Sequence, residues 1–224
     1  MAQILKSSLQ FLSALKKNNN RDWFQENKLA FKEEEGKLQL FYKGVLEDLN
    51  EADSREKMKI FSIYREVRFS KDKTPYKTHR SVSFSRATER LRGGYYLKIA
   101  PGESMMVGGF FSPNPSDLLR IRKEFEIDDT EIRAIIAESK FQHYFNNLEG
   151  DELKSAPRGF DKNHPSIDLI RKKSFLVSKQ FTDKEVLSPN FREDLKLSYL
   201  ALRPFFDYMS DVLTTDINGA SILK

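Results

Sequence analysis

The chain has 224 residues, a formal net charge of +5, 39% apolar and 32% charged residues, and no cysteine. That length and balance describe a globular chain able to bury a sizeable core, and the missing cysteines exclude disulfides, thiolate metal centres, iron–sulfur clusters and a Cys nucleophile. No apolar run approaches the ~20 residues that cross a bilayer, and the opening "MAQILKSSLQFLSALKK" lacks the continuous apolar core of a signal peptide, so a cytoplasmic protein with no membrane partner is expected.

Leu9, Leu12 and Leu15, with Phe11, form one helical stripe that ends at the Asn18-Asn19-Asn20 turn. Asn20 is placed to N-cap a second helix, with Asp22 in its first turn and Trp23, Phe24 and Phe31 facing inward. Leu38, Phe41, Val45, Leu46 and Leu49 extend the pattern, with Gly36 as a point of bending or splitting. The spacing predicts a helical hairpin over residues 5–50.

The middle of the chain changes to the period of two that marks strands. "KIFSIY" supplies one, "SVSFSR" another, and "GGYYLKIAPGESMMVGGFF" reads as strand, Pro101-Gly102 turn and strand, with Tyr95, Leu97 and Ile99 on one face. Helical spacing then returns, with Ser116 and Thr130 as expected caps and Pro165 in the first turn of a helix carrying Ile167, Leu169 and Ile170. "SFLVSKQF" is a further strand. A last helix begins after Ser188-Pro189, and Pro204 should kink it. The expected fold is a single α+β domain over residues 1–224, a small antiparallel sheet packed with an N-terminal helical hairpin and C-terminal helices.

Charge is distributed unevenly. Residues 51–100 carry 13 basic and 6 acidic side chains, whereas residues 101–150 carry 5 and 9. The excess centres on "YREVRFSKDKTPYKTHR", Tyr64–Arg80. Read as a strand, Tyr64–Phe69 would place Arg65 and Arg68 on opposite faces. One should then line a site and one pair with a carboxylate such as Glu66, with Arg68 the better placed for the site. Ser70–Tyr76 reads as a loop. Arg65, Arg68, Lys71, Lys73 and Lys77 would hold an anion, with Arg80 adding charge; Tyr76 offers a hydroxyl and a ring face, and Tyr64 a second ring. His79 is the best placed proton carrier.

"YREVRFSKDKTPYKTH", together with "NNNRDWF", "GGYYLKIAPGES", "APRGFDKNHPSIDLIRKKSF" and "LSPNF", resembles a mainly bacterial family of uncharacterised proteins, domain-of-unknown-function family 2461. The resemblance runs in order over most of the chain. It matches the family's core pattern at Arg65, Arg68, Phe69, Asp72, Lys73 and Tyr76, and departs from it at Ser62, where an Arg is usual, and at Glu66, where Asp is usual. The resemblance implies no particular reaction. It does imply that these separated stretches belong to one design.

A second constellation, "PRGFDKNHPSID", carries Arg158, Asp161, His164 and Asp168. Pro165 biases His164 away from helical geometry, so a turn or cap role is expected there and no metal site. Arg158 either reaches an anion held by the first stretch or pairs with Asp161. No GxSxG, Walker A or HExxH pattern is present, and no cofactor is expected. The expected function is binding of an anionic partner, either a phosphorylated small molecule or nucleic acid. The alternative is an enzyme acting on a phosphorylated or carboxylated small molecule, with His79 as acid or base oriented by Asp72 or Asp161. A concave pocket shared by His79, a carboxylate and the arginines would favour the enzyme.

Overall fold

In the computed structural model, which describes residues 2–52, 57–86, 88–216 and 218–223, the N-terminal apolar stripe forms three helices: α1 (Lys6–Lys17), α2 (Arg21–Glu26) and α3 (Lys28–Ala52). Asn20 caps α2 as expected, its Oδ1 accepting the Trp23 N–H at 2.9 Å. α3 runs unbroken through Gly36, because an exposed glycine lowers helix propensity by only about 1 kcal/mol. The period-two segments form β1 (Lys57–Ile60), β2 (Arg80–Ser85), β3 (Gly94–Ile99) and β4 (Ser104–Phe110). Four helices follow, α4 (Pro115–Ile127), α5 (Thr130–Ala137), α6 (Ser139–Phe145) and α7 (Ile167–Ile170). The chain then returns through β5 (Phe175–Phe181) and ends in α8 (Asp183–Val186), α9 (Phe191–Ala201) and α10 (Arg203–Thr214).

The five strands form one antiparallel sheet in the order β1-β2-β3-β4-β5, each beside its chain neighbour. The fold is therefore α+β. Gly102 turns β3 into β4 at φ +71, and Tyr95, Leu97 and Ile99 are all essentially buried, as the alternation requires. Pro204 does more than kink the last helix. Its ring cannot share the turn with the carbonyl four residues earlier, so α9 stops at Ala201 and α10 restarts with Pro204 in its first turn. Two caps differ from expectation. Asn114, just before Pro115 at the helix start, caps α4 through its bond from Asp117 N–H. Thr130 is already helical, and its own N–H donates to Asp128.

The chain divides into two compact units, Met1–Phe84 with Tyr96–Met106 and Gln180–Leu197, and Ser85–Tyr95 with Val107–Lys179 and Ser198–Lys224. In the first, α1 packs on α3, and Leu12, Leu15, Leu38, Phe41, Val45 and Phe191 are buried, with Phe41 stacked on Phe191. In the second, α10 packs on α4 and α5, and Tyr95 meets Tyr199 and Phe206 with ring centroids 4.6 and 4.8 Å apart. Among the described residues no helix is long and apolar enough to cross a membrane.

Candidate functional site

The connection from β1 to β2 holds the basic stretch, and only its ends pair as strands do. Tyr64 and Tyr76 form an isolated antiparallel bridge, flanked by Arg65 N–H donating to the Pro75 carbonyl (2.9 Å) and Lys77 N–H donating to the Ile63 carbonyl (2.8 Å). Residues 65–69 are not a strand. The reason is local: a short Thr74–Asp72 turn, with Asp72 Oδ1 accepting the Thr74 N–H and hydroxyl, pulls the chain back on itself.

The alternation expected for Arg65 and Arg68 therefore fails, and their roles exchange. Arg65 bends inward, its Nη1 donating to Asp72 and to Thr74 Oγ1. Arg68 stays in water in a two-bond pair with Glu66, at 2.9 and 3.1 Å. Lys73 is turned into the loop, donating to the carbonyls of Val67 and Arg68. Lys71 is exposed and lines neither cleft described below.

Tyr76 is buried, not presented. It belongs to an apolar cluster with Leu15, Phe24 and Ile63, and Phe24 stacks on its ring at 4.0 Å between centroids. That contact occupies the face expected to take a base. Burial, with a smaller contribution from Tyr64, raises the Tyr76 phenol pKa. Asn19, 57 residues away, grips the Tyr76 backbone from both sides: its Nδ2 donates to the carbonyl (2.9 Å) and its Oδ1 accepts the N–H (3.1 Å). The α1–α2 turn thus fixes the basic hairpin in place.

Two clefts lie on either side of Arg65. One, of about 470 Å³, is lined by Lys16, Asn19, Arg65, Asp72, Thr74, Tyr76, Lys77, Thr78 and His79. The other, of about 530 Å³, is lined by Arg21, Asp22, Gln25, Tyr64, Arg65, Val67, Pro75 and Tyr76. In the first, Lys77 is partly buried with no carboxylate partner among the described residues; its Nζ lies 5.7 Å from the Phe61 ring centroid. Burial, then the Arg80 charge, lowers its pKa. His79 is pushed down to about 4, chiefly by burial and then by Lys98, Lys77 and Arg80, against a weaker pull from Glu103. It is a neutral imidazole at neutral pH. Asp72 is held at about 2 by the Thr74 N–H and by Arg65, so it stays an anion with its charge already answered.

Arg80 is not part of the surface charge. It is buried in a two-bond pair with Glu35, both contacts at 2.6 Å. Arg158, exposed in the second unit, lines neither cleft and has no ion pair with Asp161 among the described residues. Asp161 instead accepts the Asn163 N–H in a turn. His164 takes the turn role, its Nδ1 accepting the Ser166 N–H at 3.1 Å, while Pro165 lies outside α7. Asp168 pairs with Arg133 at 2.8 Å. Among the described residues no three His, Asp or Glu side chains converge as metal ligands.

Lys16, Asn19, Arg21, Asp22 and Gln25 were not expected at the site. The run "NNNRDWF" was the available signal, since it resembles the family beside the basic stretch, but its residues read locally as a turn and cap. No curated protein and no solved structure matches the chain. A family model, that of the conserved hypothetical proteins DUF2461, matches residues 7–208, and the chain belongs to that family.

Proposed function

We propose that the protein binds a small phosphate-bearing anion in the cleft between Arg65 and His79. The observation that carries this reading is Lys77, a partly buried cation with no carboxylate partner among the described residues, in one concavity with Arg65, His79 and the hydroxyl-bearing Thr74 and Thr78. Removing a charge from water without a counter-ion is costly, and a bound anion would supply one. Arg65 can contribute as well. Its bonds to Asp72 and Thr74 employ Nη1, and among the described residues no acceptor engages Nε or Nη2.

An extended nucleic-acid face is less well supported. Arg68 is neutralised by Glu66, Lys73 is spent on loop carbonyls, and the Tyr76 ring is covered by Phe24. The enzymatic alternative draws support from His79 and Asp72 sharing the cleft. Against it, Asp72 is committed to Arg65 and Thr74, and no side chain among the described residues orients the His79 ring by a hydrogen bond. A neutral His79 can act as a base and donate a hydrogen bond through its one N–H, but it does not carry the labile proton of a general acid. Turnover of an aryl phosphate by the wild type, absent in His79→Gln, would move the enzyme ahead of the binder.

The direct test is calorimetric titration with inorganic phosphate at low ionic strength. Lys77→Ala should weaken binding about tenfold or more, the range for a hydrogen bond to a charged group, without lowering the unfolding midpoint. Equal affinity in wild type and variant, or no binding by either, overturns the reading.

A further inference from the structure

The two clefts meet at Arg65 and Tyr76 yet differ in chemistry. The His79 side offers cations and hydroxyls. The other side offers the Tyr64 ring (59% exposed), Val67 and Pro75, with Arg21, Asp22 and Gln25 among the polar side chains that line it. Tyr64 is the exposed ring beside this aromatic cluster, where Phe11, Trp23 and Phe31 are partly buried and Phe24 and Tyr76 buried. It sits 5.5 Å from Tyr76 at 48° and meets Phe24 at its edge, 6.3 Å away, so it is anchored with area left exposed. The bridge to Tyr76 and the Asn19 clamp fix the backbone beneath it.

We infer that the ligand is a nucleoside phosphate, its phosphate in the His79 cleft, its sugar across Arg65 and its base on the Tyr64 ring. This rests on the anion-binding reading above and adds the second half of the ligand. An anchored ring with area left to solvent is what base stacking uses. Asp22 accepts hydrogen bonds only and Gln25 both donates and accepts, which matches the mixed edge of a base. Each cleft alone lies within the 300–1,000 Å³ common for ligand pockets, and Arg65 and Tyr76 line both, so a ligand reaching from one to the other would cross Arg65.

The test titrates the full-length protein with inorganic phosphate, ribose 5-phosphate, adenosine and guanosine 5′-monophosphates, and a short single-stranded oligonucleotide, in one buffer. At least one mononucleotide should bind about tenfold or more tighter than ribose 5-phosphate, the scale of one base–aromatic stack. Tyr64→Ala should erase that gain and leave inorganic phosphate within twofold of wild type, whereas Tyr64→Phe should keep it. The unchanged phosphate affinity shows that the variant is folded. If phosphate binds but the mononucleotides bind no better than ribose 5-phosphate, or if the gain survives Tyr64→Ala, the base site is wrong and the anion site stands. If the oligonucleotide binds far more tightly than any mononucleotide, the partner is nucleic acid and the inference falls. If nothing containing phosphate binds, the anion-binding reading falls and takes this one with it.

Discussion

Two loop segments of this chain look alike in composition and behave differently. Tyr64–Arg80 and Glu149–Lys173 each carry six Arg or Lys residues, a histidine, and at least one proline. The second has five acidic residues against two in the first, and it uses them: Lys172 and Arg171 pair with Glu152, Lys173 with Asp151, and Asp168 with Arg133. Its remaining cations, Lys154, Arg158 and Lys162, are exposed, where water solvates an unpaired charge at little cost. In the first segment Asp72 and Glu66 answer Arg65 and Arg68, and Glu35 of α3 answers Arg80. Of the three lysines without a carboxylate among the described residues, Lys71 is exposed, Lys73 donates to loop carbonyls, and Lys77 is partly buried. A count of basic residues does not find a binding site. A more selective mark is a partly buried cation that no carboxylate answers.

If the second segment is structural, its sensitive point should be backbone packing and not charge. Gly150 sits at φ +134 beside the Ser174 carbonyl, which an added Cβ would strike. Gly150→Ala should cost at least about 2 kcal/mol, read from the urea midpoint. Gly102→Ala, also left-handed at φ +71 but with open space around the new methyl, should cost about 1 kcal/mol. Equal costs would mean that strain, and not the Ser174 contact, sets the requirement at Gly150.

A smaller effect should separate the first segment by pH. Folded His79 titrates near 4 and its ordinary value is 6.5, so between those values the unfolded chain binds the extra proton. Stability linked to neutral His79 is complete above pH 6.5 and is lost as pH falls through about 4. The difference in denaturation midpoint between wild type and His79→Gln should widen against the wild type over that window. Phosphate should flatten the slope, because an anion in the cleft favours the charged imidazole. A difference independent of pH would place His79 in a more solvated setting than the cleft.

Much of the scaffold could be read from periodicity, because burial of one face repeats along regular elements. Leu9, Leu12 and Leu15 on α1, and Tyr95, Leu97 and Ile99 on β3, each lie on the buried face that their spacing requires. The sequence marked the basic stretch but not the arrangement of its side chains. Treating residues 64–69 as a strand assigned Arg65 and Arg68 by alternation, whereas the Asp72–Thr74 turn, a local competition for backbone hydrogen bonds, decided their directions. Lys16, in the last turn of α1, and Asn19, in the α1–α2 turn, reach the cleft through contacts that no spacing rule covers. Tyr76 misled for another reason: an aromatic residue in a polar loop reads as exposed until its partner, Phe24, is placed.

The smallest expected effect is the most telling. Arg68 is the arginine the sequence reading placed better for the site, and it is the one the fold leaves in water, with its side chain 77% exposed beside Glu66 at 65%. Pairs of that kind contribute little, since solvent screens the attraction and two long side chains must be ordered to make it. Arg68→Ala should therefore leave the unfolding midpoint unchanged within error and inorganic phosphate affinity within about twofold, in the same titration where Lys77→Ala loses about tenfold. The reverse ranking, with Arg68 essential and Lys77 dispensable, would move the anion from the cleft to the outer rim of the loop. The segment would then bind through an exposed basic face, as its composition alone proposes, and the unpaired charge on Lys77 would need an explanation other than a ligand.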